Sequence, residues 1–292
     1  MKKISFKQIQ YHVAYKQKRE KQYFVIKNNV NSWCADPFLF QYKEDTYIFA
    51  EMWINIKRKG VIAFSKWDGK KFTKWVPVIE ESYHLSYPNI FMINEEIFIC
   101  PESSQVQEIY LYKAVDFPYI WEKQNSILSN DKYVDTTFFG YENNIYGFTY
   151  RLLEDKRNKN GQLLLFKVEN GKAVFLEDNP VSEDDSVARP GGKCIERDNM
   201  KIRISQDCNG AYGKGLVFSE MSFNGEKYEE RILRKVYPKE IDYNKNYNLI
   251  GIHTYNELDE FQVIDLRSKD LSVDLIMWKI VNKIRKIVGK IE

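Results

Sequence analysis

Ala35-Asp36-Pro37-Phe38-Leu39-Phe40 returns in altered form four more times along the chain. The later copies are Ser86-Tyr87-Pro88-Asn89-Ile90-Phe91, Val134-Asp135-Thr136-Thr137-Phe138-Phe139, Ala188-Arg189-Pro190-Gly191-Gly192 and Gly251-Ile252-His253-Thr254-Tyr255. Each opens on a polar or turn residue, and most run on into an apolar strand. A period of about fifty residues in a chain of strands marks propeller blades rather than a helical solenoid. After each opening a few turn-prone residues precede a second apolar run, such as Tyr47-Ile48-Phe49-Ala50 or Ile97-Phe98-Ile99-Cys100, which makes a hairpin. A further strand pair follows, clearest where 60–65 leads through Asp68-Gly69 into Phe72-Thr73-Lys74-Trp75. Two hairpins per repeat give the four strands of one blade, and five repeats close a ring with few exposed edges. The sequence therefore predicts an all-β, five-bladed β-propeller over residues 1–268, with residues 1–30 completing a blade or packing beneath the ring.

Composition agrees with one folded unit. Of 292 residues, 43% are hydrophobic and 29% charged, with no low-complexity stretch to serve as a linker. Aromatics make up 15%, which suits strand cores and supplies platforms for sugar rings. A formal charge of +3 is too small for a general nucleic-acid binder. Cys34, Cys100, Cys194 and Cys208 are far apart and contain no C-x-x-C, so they read as reduced thiols. The start, Met1-Lys2-Lys3-Ile4-Ser5, lacks the apolar run of a secretory signal, which gives a cytoplasmic expectation.

The repeat also predicts a site. An antiparallel hairpin returns to the end where it began, so the first residue of one strand and the last of its partner are neighbours. Asp36 precedes Glu51, Tyr87 precedes Glu102 and Asp135 precedes Tyr150 by the same interval, and Arg189 precedes Gln206-Asp207 by slightly more. On innermost strands all of these face one mouth. A single carboxylate at a strand end is ordinarily a satisfied turn residue, but the coincidence across blades points to chemistry. Asp36, Glu102, Asp135 and Asp207 around one cleft split their pKa values, which turns carboxylates into an acid and a base. They are the candidate catalytic residues. Arg189 either grips a phosphate or carboxylate or neutralises its neighbours. His84 and His253, in or beside the repeated segments, are structural or act as donors and general acid/base groups. With Glu51, Tyr87, Arg189, Gln206 and Tyr212 they are the candidate substrate-binding residues. Glu183-Asp184-Asp185 reads as a solvated acidic loop rather than a cation site, since no flanking ligand geometry is visible. No metal and no cofactor is expected.

These residues resemble a known family, the propeller domain at the N-terminus of plant glucosamine inositolphosphorylceramide transferases and of bacterial proteins from surface-polysaccharide clusters. The matching elements include Ala35-Asp36-Pro37-Phe38, His84-Leu85-Ser86-Tyr87-Pro88, Pro101-Glu102-Ser103, Asn179-Pro180-Val181, Ala188-Arg189-Pro190-Gly191-Gly192, Gln206-Asp207-Cys208 and Gly251-Ile252-His253-Thr254. The Asp-Pro start of the first blade also resembles, more distantly, five-bladed glycosidases with an acidic base or nucleophile there. The resemblance implies sugar chemistry without choosing hydrolysis or transfer.

Residues 269–292 change character. Ile276, Ile280, Ile284, Ile287 and Ile291 recur at helical spacing beside Lys279, Lys283, Arg285, Lys286 and Lys290. A basic amphipathic helix is expected there, lying on an anionic membrane face through 271–291 or packing on the propeller or a partner. The leading expectation is a glycosyltransferase of capsule or lipopolysaccharide assembly, working on an activated sugar donor and a glycan or lipid-linked acceptor, peripheral to the inner membrane face. A five-bladed glycoside hydrolase or phosphorylase, or a non-catalytic sugar-binding module, stands as the alternative.

Overall fold

The computed structural model describes residues 7–153, 161–258 and 260–271. They form five antiparallel sheets, the blades of a propeller. Blades 1 to 4 take residues 32–79, 86–129, 133–175 and 195–236, each a meander of four strands in sequence order. Blade 5 is built from both ends of the described chain: Lys7–Gln17 pairs with Phe261–Leu271 in unbroken register from Lys7↔Leu271 to Gln17↔Phe261. The inner edge of that blade is split between Leu249–Gly251 and Tyr255–Glu257. The N-terminal segment thus completes a blade. Its eleven paired positions fasten the ring where an open sheet edge would otherwise remain.

The strands obey the pattern of the sequence. Val61, Ile62, Ala63 and Phe64 are buried on both faces, as a strand sandwiched between blades must be. Between blades 1 and 2, Phe38, Phe49, Leu85, Ile90 and Ile99 are fully buried in one cluster. Apolar surface buried in such layers between blades holds the ring together at about 25 cal/mol per Å². Asn170 and Gly171, with φ of 50° and 72°, turn the tight hairpin between Gln162–Glu169 and Lys172–Phe175.

Two expectations shift. The outer strand of blade 1 is Val76–Ile79, and Phe72 makes only an isolated bridge to Trp67, because its ring is taken into a cluster with Tyr15 and Phe261. The last strand runs to Leu271, past the expected boundary at 268. The helix expected further on lies outside the described residues. No described helix is long and apolar enough to cross a membrane.

Candidate active site

The repeated openings share a backbone device. Asp36, Tyr87 and Asp135 have φ of 50°, 44° and 51°, left-handed values that are uncommon outside glycine. At the same places strand pairing skips, between Ala35 and Phe38, Ser86 and Asn89, and Val134 and Thr137. Each is a bulge on an innermost strand, where an extra residue interrupts the alternation and re-aims a side chain. Strain of this kind costs on the order of 1–3 kcal/mol per residue and persists where the surroundings hold it.

Asp36 and Asp135 are turned into a cavity of about 230 Å³ on the propeller axis. Arg189 and His253, from the same position in blades 4 and 5, join them, and so do Glu51, His84, Glu102 and Tyr212. Tyr11, Trp33 and Trp53 form an aromatic wall: Trp33 and Trp53, directly paired across strands, stack at 5.5 Å, and Tyr11 lies 4.9 Å from Trp33.

Burial sets the chemistry. It pushes Asp36 up to about 6, with Asp265 and Asp135 adding to the rise and His253 opposing it. It pushes Asp135 up to about 6 against the pull of Arg189, whose Nε lies 2.5 Å from Asp135 Oδ2. Glu51 is held well above the usual carboxylate range by burial and by the charges of Asp36 and Glu102. Burial also raises Glu102, against Arg189 and hydrogen bonds from Ser104 and Asp135. Carboxyl groups lifted toward neutrality in one cavity divide into proton holders and proton takers. Arg189 keeps its charge: burial works against it, but Asp135 and Glu102 outweigh that. Its guanidinium sits 4.8 Å over the Tyr212 ring, and its terminal nitrogens make no hydrogen bond to a described residue.

The two histidines differ. Gly60 donates its backbone N–H to His84 Nδ1 at 2.8 Å, which leaves Nε2 carrying the ring hydrogen, 3.9 Å from Glu51 Oε1. Burial lowers the pKa of His84. A Cβ on Gly60 would lie 2.4 Å from Leu85 O and 2.8 Å from Glu51 Oε1, so only glycine brings the backbone this close. His253 is instead held charged: burial opposes the charge, but Asp265 and Asp36 together raise its pKa. Asp265 takes His253 Nδ1 at 2.5 Å and accepts backbone N–H groups of His253, Thr254 and Asp36. Asp36, His253 and Asp265 offer ligand atoms within 4.8 Å of one another. With Asp265 committed to four donors, they form a hydrogen-bonded ion pair with a neighbour rather than an open coordination shell.

Three expected site residues fall elsewhere. Asp207 does not line the cavity; it accepts from Tyr237 Oη at 2.9 Å and pairs with Lys214 and Lys235 at 3.3 and 3.8 Å. The pleat explains this, since neighbours on a strand point to opposite faces and Gln206 takes the inward one. Gln206 stands behind the cavity, donating to Asp135 Oδ2 and Pro190 O. Tyr87 is fully buried, its hydroxyl 2.9 Å from Thr137 Oγ1 and accepting from Gly192 N–H at 2.7 Å. Sequence reasoning missed Asp265, Tyr11, Trp33 and Trp53.

Fold and cavity together define a five-bladed propeller with an axial cluster of carboxylates, histidines and one arginine. Residues 24–265 match the family described as glucosamine inositolphosphorylceramide transferase 1, N-terminal, and the chain belongs to it. Glucosamine inositolphosphorylceramide transferase 1 of Arabidopsis thaliana is 31% identical over 212 residues, covering 68% of this chain and 27% of the relative. The protein of the same name from Oryza sativa subsp. japonica is 26% identical over 207 residues, covering 68% and 28%. The chain thus spans about a quarter of the length of these relatives. Among solved structures, a glycoside hydrolase (TM-score 0.61, 10% identity, 88% of this chain and 93% of that one) shares the fold. So does the β-1,2-mannobiose phosphorylase of Listeria innocua (TM-score 0.55, 10% identity, 83% and 92%).

Proposed function

We propose that the axial cavity is a glycosyl-transfer site. Asp36 takes the proton of an acceptor hydroxyl as that oxygen attacks the anomeric carbon. The bond from this carbon to a phosphate oxygen breaks, and the departing charge is met by Arg189, with His253 or His84 beside it. The observation that carries the reading is the meeting, in one cavity, of a carboxyl group raised to about 6 with an arginine whose terminal nitrogens bond no described residue. The cavity is smaller than the roughly 300–1,000 Å³ of drug-sized pockets, which suits a single sugar ring. A lipid-borne or glycan acceptor is supported by the name of the relatives and by the basic residues between 279 and 290. Capsule or lipopolysaccharide assembly at the inner membrane face is the setting we assign to it.

A second reading is favoured by the four carboxylates, Asp36, Glu51, Glu102 and Asp135, on the cavity wall. In a hydrolase or phosphorylase, Glu102 is the acid and Asp36 the base or nucleophile. The purified protein, offered a panel of nucleotide sugars with lipid and oligosaccharide acceptors, separates the readings. Transfer is expected, abolished by Asp36→Asn and largely kept by Asp207→Asn. Hydrolysis of a simple glycoside without a donor would replace it by the second reading. Sugar binding that survives Asp36→Asn with no turnover by any form would make the propeller a binding module.

A further inference from the structure

The inner strands run on past the catalytic cavity, and the axis does not stay open along them. Tyr87 of blade 2 reaches Thr137 of blade 3 and the Gly192 N–H beside blade 4. Lys193 N–H donates to Asn256 Oδ1 of blade 5 at 3.0 Å, Asn256 donates to Pro37 O of blade 1 at 2.6 Å, and Tyr87 N–H returns to Asp36. This belt of hydrogen bonds links all five blades and closes the axis.

Beyond the belt lies a second cavity of about 300 Å³. Phe40, Phe91, Phe138, Lys193 and Leu258 bring one residue each from blades 1 to 5 in turn. They stand three to five residues further along the chain than Asp36, Tyr87, Asp135, Arg189 and His253, about 10–17 Å at 3.3 Å per strand residue. The cavity is therefore the far mouth of the same axis. Its wall is mainly apolar, and no carboxylate among the described residues lines it. Among the described residues Lys193 is the one charged side chain on that wall. Its Nζ donates to Leu39 O at 2.9 Å and sits 5.7 Å over the Phe40 ring, and it forms no ion pair with a described residue.

We propose that this far mouth is a binding site for a small apolar molecule bearing a carboxylate, anchored by Lys193. A half-buried ammonium facing apolar side chains with one acceptor for three N–H groups is costly to desolvate. Burial draws its pKa down to about 7. A ligand carboxylate supplies a counter-charge that no described residue gives Lys193, and the phenylalanine rings and Leu258 cover the apolar body of the ligand. The site is separate from the sugar cavity and does not depend on its chemistry.

Octanoate is the probe, titrated calorimetrically into the whole protein at pH 8 in two buffers of different ionisation enthalpy. Binding is expected, with uptake of a proton, because burial lowers the pKa of Lys193 and the bound carboxylate favours its charged form. Octanol should bind at least tenfold more weakly, Lys193→Met should lose at least tenfold, and Lys193→Arg should bind without proton uptake. No binding at millimolar octanoate overturns the proposal. So does equal binding of octanol, or octanoate binding unchanged in Lys193→Met. If Lys193→Met does not fold, the octanol comparison and the Arg variant decide alone.

Discussion

His253 Nδ1 lies 2.5 Å from Asp265 Oδ2, and both side chains are buried, at 3% and 0% exposure. One ring nitrogen is thus committed to the protein, leaving Nε2 as the nitrogen available for a substrate. Asp265 is a positioning residue: through the N–H groups of Asp36, His253 and Thr254 it holds two neighbouring blades in register.

Asp265→Asn is expected to lower the pKa of His253, since burial is then opposed only by the charges of Asp36 and Asp135. The loss of stability should be about 3–5 kcal/mol, the range for breaking a buried pair from one side. Asp265 is depressed in the folded state, although burial alone would raise it, because His253 and backbone donors pull it down; its contribution is lost as pH falls through that value. His253 is raised, so its contribution is lost as pH rises through its folded pKa. The penalty should peak between the two and shrink on either side. Histidine NMR titration and denaturant unfolding across pH check it, and an unshifted His253 would refute the coupling.

The ring was legible because the bulged openings recur with little change: Asp36-Pro37, Tyr87-Pro88 and Asp135-Thr136 are both the sequence repeat and the structural one. Asp265 was hidden because it comes twelve residues after His253, not at the fifteen-residue interval that links Asp36 to Glu51, so the spacing used for the other blades passes over it. Its one signal was a charge amid the apolar run Val263-Ile264-Asp265-Leu266. Trp33 and Trp53 flank the motif and read as core. Asp207 misled because spacing alone cannot say which of two adjacent residues points inward.

Glu51→Gln should make the protein more stable at alkaline pH. The folded pKa of Glu51 lies well above the unfolded value of about 4.3, through burial first and then Asp36 and Glu102. Its favourable contribution is therefore present at low pH and lost as pH rises through the folded pKa. Gln cannot ionise and escapes that loss. Unfolding free energies from urea titration should match wild type near pH 4 and exceed it at pH 8, by about 1–2 kcal/mol. An unchanged unfolding free energy at pH 8 would contradict the account.

Tyr87→Phe tests the belt. Removing the hydroxyl leaves the Gly192 N–H without an acceptor in a fully buried place, at a cost of about 1–3 kcal/mol. Sugar binding should be unchanged, since Tyr87 does not line the cavity. Weakened binding at wild-type stability would return Tyr87 to the site.

The aromatic wall gives the last prediction. A sugar ring has apolar C–H faces and a rim of hydroxyls, and the cavity is built with the same division, with Trp33 and Trp53 on one side and Glu102, Asp135 and Arg189 among the polar groups. Trp33 is packed against Tyr11 and Trp53 together, so shortening it disturbs the fold as well as the site. Trp53 is half-buried and ends the row, with His84 edge-on at 5.7 Å. Trp53→Ala should therefore weaken sugar binding at least tenfold, about 1.4 kcal/mol, while pH-dependent behaviour of Asp36 is retained. Tryptophan fluorescence during sugar titration reads it directly: wild type should respond to bound sugar, and Trp53→Ala should lose most of that response. Equal affinity in the two proteins would mean that the sugar sits against the carboxylates alone.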